Sequence, residues 1–225
     1  MESLYDFEIV SETQIQVKWA GEDIQLYSDF SLEIRKEWLV ISDLHLGKVQ
    51  HFRNNGIAIP AAIKREAILQ LETLVQKHRL QKLVFLGDLF HSDPNSEWND
   101  FFDWMETHPE IEFILVVGNH DQKFLNSTFS NRILCVSELL LGPFILLHEE
   151  DSKRKDGFQI SGHIHPKVRI RGRARQSINM PCFHFNKQSL VLPAFGPFTG
   201  AKCIKPMKGS KSIGLAANRL WPIAH

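Results

Sequence analysis

Apolar and polar positions alternate with period two through the first part of the chain, Phe7–Ile34, and Gln14-Ile15-Gln16-Val17-Lys18-Trp19 carries the pattern most cleanly. Ala20-Gly21-Glu22-Asp23 supplies a turn before a second short strand. This part therefore predicts an antiparallel edge feeding the next strand. That strand, Trp38–Ile41, drops the alternation for an unbroken apolar run, the pattern of a strand buried on both faces. Similar runs return at Lys82–Leu86, Ile111–Val117, Phe144–Leu147 and Phe158–Ser161. Between the first two, Ile63, Ala67, Leu71, Leu74 and Val75 recur at helical spacing, and Pro60 suits a first turn. The spacing predicts a helix over 61–78 and hence a βαβ crossover. Asp93-Pro94-Asn95-Ser96 reads as a turn with a helix start near Ser96, and Trp98, Phe101, Phe102 and Met105 give that helix an apolar face. Gln122–Asn131 is polar, a loop or short helix, and Arg132–Val136 is a strand. Beyond His165 the helical spacing disappears, and Val168–Arg171, Cys182–Phe185, Ser189–Leu192, Ile213–Ala216 and Arg219–Ile223 are short strands. The pattern is mixed α/β (α+β) in the first two thirds and mainly β afterwards. No repeat or low-complexity tract interrupts it, so residues 1–225 read as one domain.

The polar residues that end the apolar runs share one chemistry. Trp38–Ile41 leads to Asp43 and His45; Lys82–Leu86 leads to Gly87-Asp88; Ile111–Val117 leads to Gly118-Asn119-His120-Asp121. Phe144–Leu147 leads to His148, and Phe158–Ser161 to Gly162-His163-Ile164-His165. Sites in α/β folds gather at the carboxyl ends of strands, so these residues are expected to converge. Asp43, His45, Asp88, Asn119, His148, His163 and His165 then supply ligands for two ions, with Asp88 as the natural bridge. Such ions would sit about 3.5–4 Å apart, share a hydroxide and clamp an in-line displacement at phosphorus. Mixed imidazole and oxygen donors favour Mn, Fe, Zn or Ni over magnesium or calcium. His120 is placed to protonate the leaving oxygen as general acid, with Asp121 as the carboxylate that tunes it.

Composition narrows the partners. With 26 basic and 26 acidic side chains the formal charge is zero, so no global field draws the chain to nucleic acid. A polyanion must be held by local clusters. Lys167, Arg169, Arg171, Arg173 and Arg175 fall at every second position after His165, so on a strand they share one face beside the metals. Lys48 and Arg53 read either as ordinary loop cations or as phosphate clamps, and His91 either as a substrate contact or as a structural hydrogen-bonding residue. The charged stretch His148–Asp156 reads as a solvated loop. His51, His78, His108, His184 and His225 have no such company and read as surface residues. Phe195 and Phe198 read as core plugs, with base stacking the alternative. Cys135, Cys182 and Cys203 are odd in number and widely spaced, which argues against a disulfide framework or a Cys-based zinc site. The N-terminus lacks the charge and apolar pattern of a signal peptide, and no apolar run reaches the length of a membrane span, so a cytoplasmic location with no membrane contact is expected.

The assembled motifs, D-L-H at 43–45, G-D at 87–88, G-N-H-D at 118–121, His148 and G-H-I-H at 162–165, resemble the motif series of the calcineurin-like metallophosphoesterase superfamily. The resemblance implies a four-layer αββα sandwich with two mixed sheets. It gives one metal Asp43, His45, Asp88 and His165, the other Asp88, Asn119, His148 and His163, and it matches His120 to the catalytic histidine. G-D-L-F-H-S departs from the protein-phosphatase branch, which has an Arg soon after its G-D motif. S-D-L-H-L-G-K, F-R-N-N-G-I-A-I-P, L-G-D-L-F-H-S, G-H-I-H-P and L-P-A-F-G-P-F-T-G resemble, more narrowly, the bacterial ligase-associated DNA-damage-response endonucleases. That likeness implies manganese-dependent phosphodiester hydrolysis on single-stranded or loop DNA, and association with a DNA ligase, a helicase and an exonuclease. Two other readings stand beside it: the same chemistry on a small nucleotide-type phosphoester or pyrophosphate, and a non-catalytic scaffold of the same fold. Retention of His120 and of every candidate ligand speaks against the scaffold.

Overall fold

A computed structural model describes residues 5–48, 66–125, 131–171, 176–197, 199–205 and 207–223. His51, Arg53, Pro60, Ile63, Arg173, Arg175, Phe198 and His225 lie outside them, as do the loop 50–56 and the first residues of the helix expected over 61–78. The alternating N-terminal part forms four antiparallel strands, β1 (Tyr5–Ser11), β2 (Gln14–Trp19), β3 (Glu22–Tyr27) and β4 (Leu32–Ile34), which pair in order. β4 pairs antiparallel with the unbroken apolar strand β5 (Trp38–Ile41). From β5 onward the sheet is parallel, through β6 (Lys82–Leu86), β7 (Glu112–Val116) and β8 (Ile133–Val136). The helices α1 (Glu66–His78) and α2 (Ser96–Glu106) make the β5–β6 and β6–β7 crossovers. Asn95 caps α2, its side-chain oxygen accepting from the Glu97 amide at 2.8 Å, which is why the helix starts where the turn residues end.

The second sheet holds β9 (Leu139–Leu141), β10 (Phe144–Leu146), β11 (Phe158–Ser161), β12 (Pro166–Arg171), β13 (Ser177–Asn186), β14 (Ser189–Val191), β15 (Lys202–Cys203), β16 (Lys211–Ala216) and β17 (Arg219–Ile223). β10, β11 and β14 run parallel and the other neighbours antiparallel, except β12 with β15, so both sheets are mixed. β9 and β15 carry no separate signal in the sequence; each is two or three residues long and is strand only because a neighbour pairs with it.

Two apolar layers hold the sandwich. Ile15, Val17, Val84, Leu86 and Val116 of the first sheet meet Phe144, Leu146, Ile160, Phe183 and Leu190 of the second. The first sheet's other face, Leu39, Ile41, Leu83, Phe85 and Leu115, is covered by Ala67, Leu71, Leu74 and Val75 of α1 and by Trp98, Phe101 and Met105 of α2. Among the described residues both α-helices lie on this side. The second sheet's outward face mixes polar positions, including Gln159, Ser161, His184, Ser189 and Ser212, with buried Ile145 and Val191 and a small apolar cluster of Val168, Met180 and Cys182. Gln159 ties to the charged loop, exchanging hydrogen bonds with the Asp151 backbone.

Three histidines expected at the surface are not there. His184 is buried and bonds Ser212 Oγ at 2.9 Å; half-buried His78 lies 2.9 Å from Asp29; and half-buried His108 lies 3.2 Å from Glu72. Each faces a polar partner from a distant segment, which periodicity cannot reveal. Phe195 does plug the core beside α1 and α2. No helix among the described residues is long and apolar enough to cross a membrane.

Candidate metal centre

β5, β6 and β7 of one sheet and β10, β11 and β14 of the other end on the same side of the sandwich, and the loops beyond them are zipped together. The Asp43 amide donates to Gly87 O, the His45 amide to Asp88 O and the Leu46 amide to Leu89 O, at 2.8–3.2 Å. Ser42 bridges Ala194 across the sheets, and the Phe195 and Gly196 amides donate to the carbonyls of Ser42 and Asp43. The loop after β14 therefore closes the site from the second sheet.

This bracing holds an uncommon backbone. Asp43, His45, Asp88, His163 and His165 all sit at positive φ, between 46° and 66°. Such a conformation costs a non-glycine residue about 1 kcal/mol or more. Elsewhere among the described residues it is confined to turns, such as Ala20, Lys187 and Asn218. Two glycines let the strand ends approach: a Cβ on Gly162 would meet Asp43 Oδ2 at 2.5 Å, and one on Gly118 would meet Asp88 Oδ1 at 2.5 Å.

The side chains form two groups around one carboxylate. In the first, His45 Nε2 and His165 Nε2 are 3.3 Å apart, and His165 Nε2 is 3.1 Å from Asp43 Oδ1. In the second, His148 Nε2 is 3.1 Å from His163 Nδ1 and 3.4 Å from Asp88 Oδ1. Asp88 is buried between them, with Oδ2 4.0 Å from His45 Nε2. Asn119 stands exposed in the turn after β7. The adjacent His120 donates its amide to Asp88 Oδ1 at 3.0 Å and holds Nε2 4.0 Å from Asp88 Oδ2. His91 joins His45 and His120 in a third cluster, its ring centre 5.0 Å from that of His120.

Backbone carbonyls select the facing nitrogens. Gly200 O lies 2.7 Å from His165 Nδ1 and Leu86 O lies 3.2 Å from His148 Nδ1, so each ring donates there through Nδ1–H and turns Nε2 inward. Burial pushes the His45 imidazole down to about 3, against the pull of Asp43 and Asp88, so it stays neutral. Burial also opposes protonation of His148, but the hydrogen bond and charge of Asp88 outweigh it and raise this ring to about 8. Asp88 itself is held below the usual carboxylate range, burial being overcome chiefly by His148. Inward-facing imidazole nitrogens around buried carboxylates are a poor packing arrangement by themselves and a good one around cations. The residues fit a pair of divalent transition-metal ions.

Asp121 keeps other company than its adjacency to His120 suggested. Fully buried, it accepts from the Gly118 amide at 2.9 Å and the Phe90 amide at 3.1 Å, and burial raises it to about 6. It ties the two turns that carry His91 and His120. Lys48 is half-buried; burial lowers its ammonium pKa against the attraction of Asp43 and Asp88. Lys167, Arg169 and Arg171 share the face of β12 opposite buried Val168, and Arg169 Nε donates to Asn179 at 2.9 Å.

Two supporting residues escaped the sequence pattern. Ser42 Oγ packs on Asp43 Oδ2 and Leu86 O, and buried Glu97 accepts from the Gly47 amide at 2.8 Å. Ser42 was visible as a neighbour of Asp43; Glu97, fifty residues beyond Gly47 on α2, gave no signal.

A mixed sandwich that pools acidic and imidazole donors from the ends of both sheets is the architecture of a metal-dependent phosphoesterase. The calcineurin-like phosphoesterase family model matches residues 38–173, and the chain belongs to that family. Among solved structures it is similar to the nuclease MPE of Pseudomonas putida, at 27% identity and a TM-score of 0.76 over 97% of this chain and 100% of that one. No curated protein matches the chain.

Proposed function

We propose that the chain is a binuclear phosphodiesterase that cuts DNA as an endonuclease of DNA repair, acting on single-stranded or looped substrate. The observation that carries the chemistry is Asp88, buried between two histidine-carboxylate groups with an oxygen toward each. In this reading His45, Asp43, Asp88 and His165 hold one ion, and Asp88, Asn119, His148 and His163 the other; the mixed donors suit Mn, Fe, Zn or Ni, and the resemblance to the ligase-associated endonucleases favours manganese among them. Bound there, the ions supply Lewis acidity and a water-derived nucleophile at neutral pH. His120, with its ring 41% exposed at the mouth, gives a proton to the leaving oxygen. Lys48 and the Lys167–Arg169–Arg171 face hold phosphates on either side, with Arg53 and Arg173 assigned the same role, and His91 lies close enough to His120 to touch the same phosphoryl group.

Likeness to a nuclease over nearly the full length of both chains supports nucleic acid over a small phosphoester. The inter-sheet core draws on residues from Tyr5 to Leu220, which supports one domain over 1–225. A cytoplasmic location and work alongside a DNA ligase, helicase and exonuclease complete the reading. The test is circular single-stranded DNA with each divalent metal in turn. Opening of the circle with manganese is expected; hydrolysis of bis-p-nitrophenyl phosphate without any DNA cut would leave only the small-substrate reading. His120→Ala should keep both ions and lose turnover most on substrates with poor leaving groups, and loss of metal in that variant would overturn its role as acid.

A further inference from the structure

A third cluster of imidazoles stands beside the paired groups, and no step so far gives it an ion. One ring nitrogen from each of His45, His91 and His120 lies within 4.8 Å of the others. The ring centres of His45 and His91 are 5.4 Å apart, those of His45 and His120 5.5 Å, and those of His91 and His120 5.0 Å. Imidazoles bound at about 2.1 Å to one tetrahedral ion place their ring centres about 5.3 Å apart. The pairs assigned to the two ions, His45 with His165 and His148 with His163, have the same spacing, 5.2 Å and 5.0 Å. The third cluster is thus as well spaced for a cation as the first two.

Two further features point to a ligand there. His45 offers Nε2 to the first group, 3.3 Å from His165 Nε2, while its Nδ1 is buried with no hydrogen-bond partner among the described residues. Ligating histidines ordinarily have that second nitrogen fixed by a carbonyl or carboxylate, as the Gly200 and Leu86 carbonyls do for His165 and His148. A ring with both nitrogens available can face two ions, and it gives up its remaining N–H proton when both are bound. The cluster is also braced. The His91 amide donates to Leu46 O at 2.8 Å, one position past His45, and Asp121 joins the turns of His91 and His120. His91 is half-buried and the His120 ring 41% exposed, so an ion can reach them from the mouth.

We propose that His45, His91 and His120 form a third cation site, that it selects zinc over manganese, and that filling it silences His120 as an acid. The inference rests on the phosphodiesterase reading of His120 and deepens it with a regulation of that same site. Three imidazoles and no carboxylate suit zinc, whereas manganese prefers oxygen donors. An ion there occupies the inward nitrogen of His120, which then has no proton to give the leaving oxygen. Manganese fills the paired groups alone and leaves the acid working; zinc fills all three and stops it. Three cations so close repel one another, so the third binds weakest.

The experiment is equilibrium dialysis of the full chain against zinc or manganese, with bound metal counted by plasma mass spectrometry. Rates are measured in parallel on bis-p-nitrophenyl phosphate and on a dinucleoside phosphate. Wild type should take three zinc ions but two manganese ions per chain. As the third zinc binds, dinucleoside turnover should fall about a hundredfold or more, which is what a general acid contributes. Bis-p-nitrophenyl phosphate, whose leaving group needs no proton, should slow far less. His91→Ala should take two zinc ions and lose the falling phase, whatever its starting rate. His91→Gln, closer in size and a poorer zinc donor, serves if the smaller residue harms folding. Two zinc ions in wild type, three in both variants, or a third zinc that slows both substrates alike or neither, overturns the proposal while leaving a two-ion enzyme intact. Wild type that takes one zinc or none defeats the paired-ion reading itself, and the third site with it.

Discussion

Asp121 offers the sharpest check on how the site is held. Its carboxylate is fully buried and bonded to two backbone amides, those of Gly118 and Phe90, which head the turns carrying His120 and His91. Removing an acceptor from a buried amide costs about 1–3 kcal/mol. Asp121→Ala therefore loses about 2–6 kcal/mol, comparable with the whole stability of many domains. Asp121→Asn is the better probe. Its oxygen still serves one amide, but its NH2 faces the other N–H, so about 1–3 kcal/mol is lost. For a chain of this length that lowers Tm by roughly 2–12 °C. The turns should shift with it, and a displacement near 1 Å is worth about a hundredfold in rate. Thermal melting in EDTA, metal content, and kcat on bis-p-nitrophenyl phosphate measure the three effects. Asp121→Asn should melt lower, keep its metal because no ligand is changed, and lose most of kcat. A variant that melts with wild type and turns over at the wild-type rate would refute the argument that these two bonds set the site.

Other outcomes follow from single contacts. Gly162→Ala places a Cβ against Ser42 Oγ and Asp43 Oδ2, so metal content measured by plasma mass spectrometry should fall; full occupancy with full activity would show that the strand end can yield. Burial opposes ionisation of Asp29, but hydrogen bonds from His78, Lys77 and Ser31 outweigh it and hold its carboxyl below the usual range. A depressed acid stabilises the fold above its unfolded pKa of about 4 and loses that contribution as pH falls through the folded value. The stability gap between wild type and Asp29→Asn in urea should therefore close below about pH 4, and a gap independent of pH would count against the pairing. Among the thiols, exposed Cys203 should react first with Ellman's reagent, while Cys182, buried and pushed up to about 12, should react only on unfolding. Rapid labelling of Cys182 in the native protein would mean that the layer around β13 opens.

Much of this was written in local pattern. Period-two alternation gave β1–β4, unbroken apolar runs gave β5–β7, β10 and β11, and helical spacing gave α1, because each signal reports which faces of one element leave water. The metal candidates were legible for a related reason. They sit within a few residues of strand ends, and a parallel sheet sends those ends to one side, so adjacency in the sheet did the work of proximity in space. β9 and β15 escaped because a strand of two or three residues has no period of its own.

What the sequence determined by itself was the inventory: which elements form, which ends carry carboxylate and imidazole, and that Asp88 can serve two partners. Tertiary structure decided the rest. It set the left-handed backbone at five candidate ligands, the carbonyls of Leu86 and Gly200 that fix two imidazole faces, and the Glu97 contact with Gly47. It buried His184, set His78 against Asp29, and turned Asp121 from His120 toward two amides. These facts depend on where a distant segment lands, and no repeat along the chain encodes that; only packing the sheets and helices together brings such atoms within hydrogen-bonding reach.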